Sequence, residues 1–178
     1  MLKKADALKH LTWLREELRE TMNQGLAQSP TNGLSKLYYA VKGISAIDTE
    51  SSILQIDKQK LRTISVKLWE NSLRDEEHTF HIIEILKELG DKGDMLPKEA
   101  RDRIDDFEAK LFHIDPNHEL VNIFRVIMMV RAAHPEDYKN RHAISTTKDN
   151  LVKTYGANKL RALIDMAKNY LKKTEEKR

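Results

Sequence analysis

The chain contains no cysteine, and its few prolines and glycines leave long stretches without a residue that breaks helices. The absence of cysteine excludes disulfides, thiolate zinc ligands and a cysteine nucleophile. Only four prolines and six glycines occur among 178 residues. Leu, Lys, Glu and Ala are abundant instead, a composition that favours long helices. A chain without cysteine is compatible with a reducing compartment, so we expect a cytoplasmic protein.

Long apolar runs are also missing. The first residues do not begin an apolar stretch of signal-peptide length. The most apolar segment, 120–133, is too short to span a bilayer and carries Arg125 and Arg131. We therefore expect no membrane association and interpret this segment as a core helix that is apolar nearly all round. Four of its side chains are predicted to be almost fully buried: Ile123, Phe124, Ile127 and Val130.

What the chain has in quantity is helical periodicity, and two-residue alternation is almost absent. One apolar stripe near the N-terminus comprises Leu8, Leu11, Leu14, Leu18 and Met22. Hydrophobic residues make up 40% and charged residues 33%, which is too apolar and too periodic for a disordered chain. The pattern predicts an all-α protein, a compact bundle of about seven to nine helices. Trp13 and Trp69 are interpreted as anchors in the core or between helices.

Capping residues, turn residues, glycines and prolines divide this pattern into separate helices. The stretch 25–33 is predicted to be a loop because it holds Ser, Pro, Asn and Gly close together. Asp75 is a candidate N-cap, and Gly90 a glycine stop signal for the same helix. Pro97 is placed to start a helix, and Pro135 to end one.

The charge balance changes near His134 and suggests two parts. Residues 1–134 would form a helical bundle with an acidic middle, and 135–178 a basic helical subdomain. A single compact domain is the alternative, and the length of the chain favours it.

Two blocks of opposite sign lie behind the small net charge of +3. Residues 74–119 contain fourteen Asp/Glu and seven Lys/Arg, a net charge of −7. Residues 139–178 contain eleven Lys/Arg and four Asp/Glu, a net charge of +7. A strongly basic third indicates a surface for a polyanion or for an acidic protein. Acidic and basic blocks would also suit head-to-tail packing of copies of the chain.

The predicted nucleic-acid contacts are the cations of the basic block: Lys139, Arg141, Lys148, Lys153, Lys159, Arg161, Lys168, Lys172 and Lys173. Arg161, Lys168 and Lys172 have the spacing to share one helix face, away from the apolar stripe of the last helix. Tyr155 and Tyr170 could stack on bases or pack in the core. The alternative without a nucleic-acid partner is a cationic face that is solvated or is neutralised by the acidic middle.

Most enzyme classes lack support in the sequence, because it contains neither a glycine-rich phosphate loop nor a Gly-x-Ser-x-Gly motif. Asp-x-x-His spacing occurs at 75–78 and 115–118, which makes a metal-binding bundle the weaker alternative to capping acids and polar histidines. Arg131 and His134 are the candidates for a small histidine-dependent nuclease. We expect neither a metal nor another cofactor.

The sequence therefore predicts a non-enzymatic accessory or assembly subunit. It would contact nucleic acid or a nucleoprotein complex through its basic C-terminal surface, and bind a protein partner or itself. The alternative is a helical adaptor or inhibitor whose basic patch binds an acidic protein.

Overall fold

The computed structural model describes residues 4–47, 57–111, 120–138 and 140–141, together with positions 146, 149, 152, 153, 156, 158, 161 and 165. The regular elements in these ranges are helices. They are α1 (Lys4–Gln24), α2 (Pro30–Ile47), α3 (Lys58–Glu70), α4 (Glu76–Glu88), α5 (Lys98–Lys110) and α6 (Leu120–Ala133). Single 3-10 turns occur at Gly25–Ala27 and Gly93–Met95.

The all-α class is confirmed, since the part of the chain that the structure describes contains helix and no strand. The predicted count of seven to nine helices is slightly higher than the six α-helices with described bounds. In the basic third, positions 146, 149, 152, 153, 158, 161 and 165 have helical backbone.

The chain divides into two compact units, Met1–Lys92 and Gly93–Arg178, called here the N-terminal and the C-terminal unit. The boundary predicted near His134 lies inside the second of them. A basic subdomain over 135–178 stays a prediction.

The N-terminal unit is built around α2, which packs against α1, α3 and α4. Its buried stripe has helical spacing and comprises Leu34, Leu37, Val41 and Ile44. Gly43 lets α1 approach closely, because a Cβ at this position would lie 2.8 Å from Leu14 Cδ1. Leu18 and Met22 of α1 are buried, as the N-terminal stripe predicted.

Both ends of α4 follow the predicted chemistry. The Asp75 carboxylate accepts a hydrogen bond of 2.9 Å from the backbone N–H of His78, so it caps α4 as expected. Asp57 caps α3 in the same way through Lys60. After α4, Gly90 has φ 101°, and Asp91 N–H donates back to Leu86 O. This positive φ favours glycine and terminates the helix where the sequence predicted.

The prediction of a loop over 25–33 is wrong in its second half. Helix α2 begins at Pro30, and Gly33 N–H donates to Ser29 O at 2.8 Å. A proline at the first helical position loses no hydrogen bond and has a suitable φ, and serine is a favourable residue just before a helix. The cluster of turn residues therefore marks the start of a helix.

In the C-terminal unit, α5 packs against α6. The buried side of α5 carries the predicted stripe of Ala100, Ile104, Phe107 and Leu111. On α6, Ile123 and Val130 are buried as predicted, whereas Phe124 is 39% exposed and Ile127 is only half-buried. The prediction for Phe124 and Ile127 is wrong because α6 buries a stripe and not its whole circumference. Val126 and Met129 belong to that buried stripe.

The two tryptophans have opposite environments. Trp69 is fully buried, as expected for an anchor, and its indole Nε1 donates to Thr79 Oγ1 at 3.2 Å. Trp13 is 58% exposed, so its interpretation as an anchor is wrong. It lies on the outer side of α1 beside Lys9, Thr12 and Glu16.

None of the helices within the described ranges is both long and apolar enough to cross a membrane.

Candidate functional site

The basic surface predicted from the sequence is described at three of its nine positions. Lys153 and Arg161 are exposed and have helical backbone. Arg141 is half-buried. Six predicted contacts lie outside the described residues, as do Tyr155 and Tyr170: Lys139, Lys148, Lys159, Lys168, Lys172 and Lys173. The set as a nucleic-acid surface therefore stays a prediction.

Arg141 is held by two carboxylates of α5. Its Nε donates to Glu108 Oε2 at 2.6 Å, and its Nη2 donates to Asp105 Oδ1 at 2.9 Å. The Glu108 side chain is only 7% exposed, and that of Arg141 is 25% exposed. The hydrogen bond to Glu108, opposed by partial burial and supported by the charges of Glu108 and Asp105, raises the pKa of Arg141. One cation of the basic block is thus neutralised by the acidic middle.

The position of this pair follows from the helix α5. Asp105 and Glu108 are three residues apart, so their side chains are neighbours on the helix surface. Both lie on the same side of the buried apolar stripe that contains Phe107, and Glu108 is the nearer of the two to that stripe. This places Glu108 at the edge of the apolar stripe, where water is largely excluded and a charge needs a partner.

The side chains of Arg131 and His134, the candidates for a histidine-dependent nuclease, contact different groups. His134 Nε2 lies 3.0 Å from Asp105 Oδ1, the same atom that accepts from Arg141. The Arg131 guanidinium lies over the Tyr138 ring, 5.6 Å from its centroid. His134 therefore belongs to the Arg141 cluster, and Arg131 makes a cation–π contact.

A second polar cluster lies between α2 and α4 of the N-terminal unit. The helical spacing of Glu77 and His81 is visible in the sequence, but their contact with α2 was not predicted. The His81 side chain is only 2% exposed and its ring stacks on Tyr38, with centroids 4.1 Å apart. Its Nδ1 is 3.4 Å from Ser35 Oγ, and its Nε2 is 3.8 Å from Glu77 Oε1. The stacked rings and the contact between Ser35 and His81 link α4 to α2 at a place shielded from solvent.

Asp75 and His78 form a local pair and do not resemble a metal site. Asp75 Oδ1 is 2.6 Å from His78 Nδ1, and it also accepts from the His78 backbone. Across the described ranges, no group of three or more His, Asp or Glu side chains could hold a metal ion. The second Asp-x-x-His pattern, 115–118, lies outside those ranges.

Further along the same helix pair, Lys42 of α2 reaches two acids of α4. Lys42 Nζ donates to Glu84 at 3.0 Å and to Glu88 at 2.9 Å. Lys87 also donates to Glu84, and Ser45 donates to Glu88. Burial opposes the charge on Lys42, but the hydrogen bond to Glu88 and the two carboxylate charges outweigh it and raise the pKa of Lys42.

Acid sensitivity follows from two carboxylates of this unit. Burial raises the pKa of Glu84, but the charges of Lys87 and Lys42 outweigh burial and hold that pKa below its ordinary value of 4.5. Burial likewise opposes the charge on Asp75, but hydrogen bonds from His78 hold the pKa of Asp75 below 3.8. Both contributions to stability are complete above the ordinary values and are lost as pH falls through the folded-state values.

We expect the free energy of unfolding to decrease as the pH falls below about 4.5, because the unfolded chain then binds protons that the folded chain does not. Urea unfolding at a series of pH values measures this slope. The double variant Asp75→Asn, Glu84→Gln should be less stable at neutral pH and should lose less stability on acidification. If the stability of this double variant depended on pH as steeply as that of the wild type, Asp75 and Glu84 would not be the source of the acid sensitivity.

Comparison with protein-family models, with curated proteins and with solved structures finds no match for this chain. Function is therefore inferred from the chemistry of the residues themselves.

Proposed function

We propose that this protein is a non-enzymatic helical accessory or assembly subunit. It contacts nucleic acid or a nucleoprotein complex through the basic surface of residues 135–178. The observation that carries the proposal is the net charge of +7 over 139–178, next to a segment of charge −7. A block of this size attracts polyanions and releases their counterions on binding.

Exposure of described cations supports the proposal. Lys153 and Arg161 are exposed on helical backbone, where a long cationic side chain can reach a phosphate. The N-terminal unit also has exposed cations, among them Lys9, Arg19 and Lys58, but they lie outside the block of net charge +7. The proposal assigns the polyanion to the C-terminal unit because that unit contains the block.

Substitution of three cations in the last predicted helix tests the proposal. Replacing Arg161, Lys168 and Lys172 together by Gln should weaken binding to single- and double-stranded nucleic acid. The slope of log affinity against log salt should become shallower by about one for each phosphate that the variant no longer neutralises. Fluorescence anisotropy with labelled oligonucleotides at several salt concentrations measures both quantities.

A matched control carries the same change in charge on the other unit. Lys9, Arg19 and Lys58 are exposed, and replacing them together by Gln also removes three positive charges. This control should bind nearly as the wild type does, with an unchanged salt slope. If the two triple variants weaken binding equally, net charge and not the basic surface governs the interaction.

One observation favours a second candidate, a helical adaptor that binds an acidic protein. Arg141 in this structure is already paired with protein carboxylates, Asp105 and Glu108. A cation of the basic block can thus be satisfied by acidic side chains on a helix, including those of another copy of the chain. In this case, the wild-type protein would bind no nucleic acid at low salt.

A further inference from the structure

The contact between Arg141 and α5 joins the basic block to the acidic one within the C-terminal unit. Two carboxylates converge on a single guanidinium, with distances of 2.6 Å to Glu108 and 2.9 Å to Asp105. A guanidinium recognises a carboxylate pair and a phosphate through the same planar set of N–H donors. Asp105 and Glu108 therefore occupy the Nε and Nη2 side of the guanidinium, one of the sides through which it could bind a phosphate in bidentate fashion.

We propose that Asp105 and Glu108 compete with phosphate for Arg141 and thereby act as an internal brake on polyanion binding. The proposal rests on the function proposed above and specifies how that surface is regulated. Without a polyanion, Arg141 stays paired with the two carboxylates of α5, and only 25% of its side chain is exposed. When a polyanion binds, Arg141 leaves the two carboxylates and neutralises one additional phosphate.

Exposure determines how the brake opens. The Asp105 side chain is 48% exposed and keeps His134 at 3.0 Å as a second partner, so water and His134 can replace the guanidinium there. Glu108 is only 7% exposed, and departure of Arg141 removes a close cationic partner from a buried carboxylate. Glu108 therefore sets most of the resistance, and Asp105 provides the accessible side from which a phosphate can approach.

Neutralising the two carboxylates should release the brake. The double variant Asp105→Asn, Glu108→Gln keeps similar shapes and is expected to bind nucleic acid at least about threefold more tightly than its charge-matched control. Its salt slope should be steeper by about one, the increment for one additional neutralised phosphate. Structural damage alone would not produce tighter binding.

The matched control is Asp102→Asn, Asp106→Asn on the same helix. Their side chains are 59% and 67% exposed and pair with Lys98 and Arg103. Equal increases in affinity in the two double variants would overturn the proposal, since only the charge of the unit would then matter. Adding Arg141→Gln to the Asp105→Asn, Glu108→Gln variant should abolish the extra affinity, and an increase that persists without Arg141 would also overturn it.

If Glu108→Gln prevents folding, Asp105→Asn alone is compared with Asp102→Asn alone. Asp105→Asn should still bind nucleic acid more tightly than Asp102→Asn. The difference should be smaller than between the double variants, because Glu108 still holds Arg141. No difference between these single variants would count against the brake.

A second readout separates the brake from the proposed function. The Nε–Hε signal of Arg141 in a ¹⁵N NMR spectrum is followed while nucleic acid or long-chain inorganic polyphosphate is added. If the wild type binds no nucleic acid at low salt, the proposed function fails. In that event, a shift of the signal with polyphosphate would still support the brake, and an unchanged signal would overturn it.

Discussion

Replacing Trp69 by Ala is expected to lower the free energy of unfolding of the N-terminal unit by about 3–5 kcal/mol. The indole is fully buried on α3, donates to Thr79 of α4 and lies beneath the Arg74 guanidinium, 5.2 Å from the ring centroid. Truncation would leave a cavity and an unpaired hydroxyl in the core, which add to the lost burial. Urea unfolding followed by far-ultraviolet circular dichroism measures the decrease.

The other tryptophan is the natural control for this measurement. Trp13 is 58% exposed, so Trp13→Ala should change stability by less than about 0.5 kcal/mol. Trp69→Phe should fall between the two, because a ring remains while the hydrogen bond to Thr79 is removed. Equal decreases in the Trp13→Ala and Trp69→Ala variants would contradict the burial assigned to the two side chains.

Replacing Lys42 by Met should cost about 2–3 kcal/mol, less than the cost of breaking a fully buried pair, because Lys42 is 30% exposed. The Glu84 side chain is 9% exposed and would keep its ion pair with Lys87, while both Glu84 and Glu88 would lose their ion pairs with Lys42. The remaining carboxylate charge, and not the missing lysine itself, causes most of this destabilisation.

The second substitution in this prediction removes that charge. The double variant Lys42→Met, Glu84→Leu should be more stable than Lys42→Met alone, because an apolar pair at this site needs no compensating charge. Urea unfolding of the wild type, both single variants and the double variant forms a complete cycle. A double variant whose destabilisation equals the sum for the two single variants would show that Lys42 and Glu84 are not coupled.

The fold was predictable where local chemistry decides it. Asp75 caps α4, Gly90 ends it, and the stripe of Ile104, Phe107 and Leu111 lies on the buried side of α5. The wrong predictions concern side chains whose burial depends on which helix packs against them. Trp13 and Phe124 fit a core by residue type, but a single sequence does not show which side of a helix another helix covers.

The polar contacts of the candidate sites were less predictable for the same reason. Ser35 and His81 are 46 residues apart, and Arg141 lies 33 residues from Glu108. Charged residues on a helix surface have many possible partners, so the blocks of charge were visible in the sequence but the particular pair was not. The interpretation of Asp75 and His78 as cap and polar histidine came from local spacing and is confirmed.

The salt dependence of nucleic-acid binding by the wild-type protein tests the central proposal most directly. If residues 135–178 contact phosphates, affinity for a single-stranded and a double-stranded oligonucleotide should be measurable at low salt. It should then fall linearly on a log–log plot with added salt, by about 0.7–0.9 per phosphate contacted. No detectable binding to either oligonucleotide at low salt would contradict the account, as would an affinity that does not depend on salt.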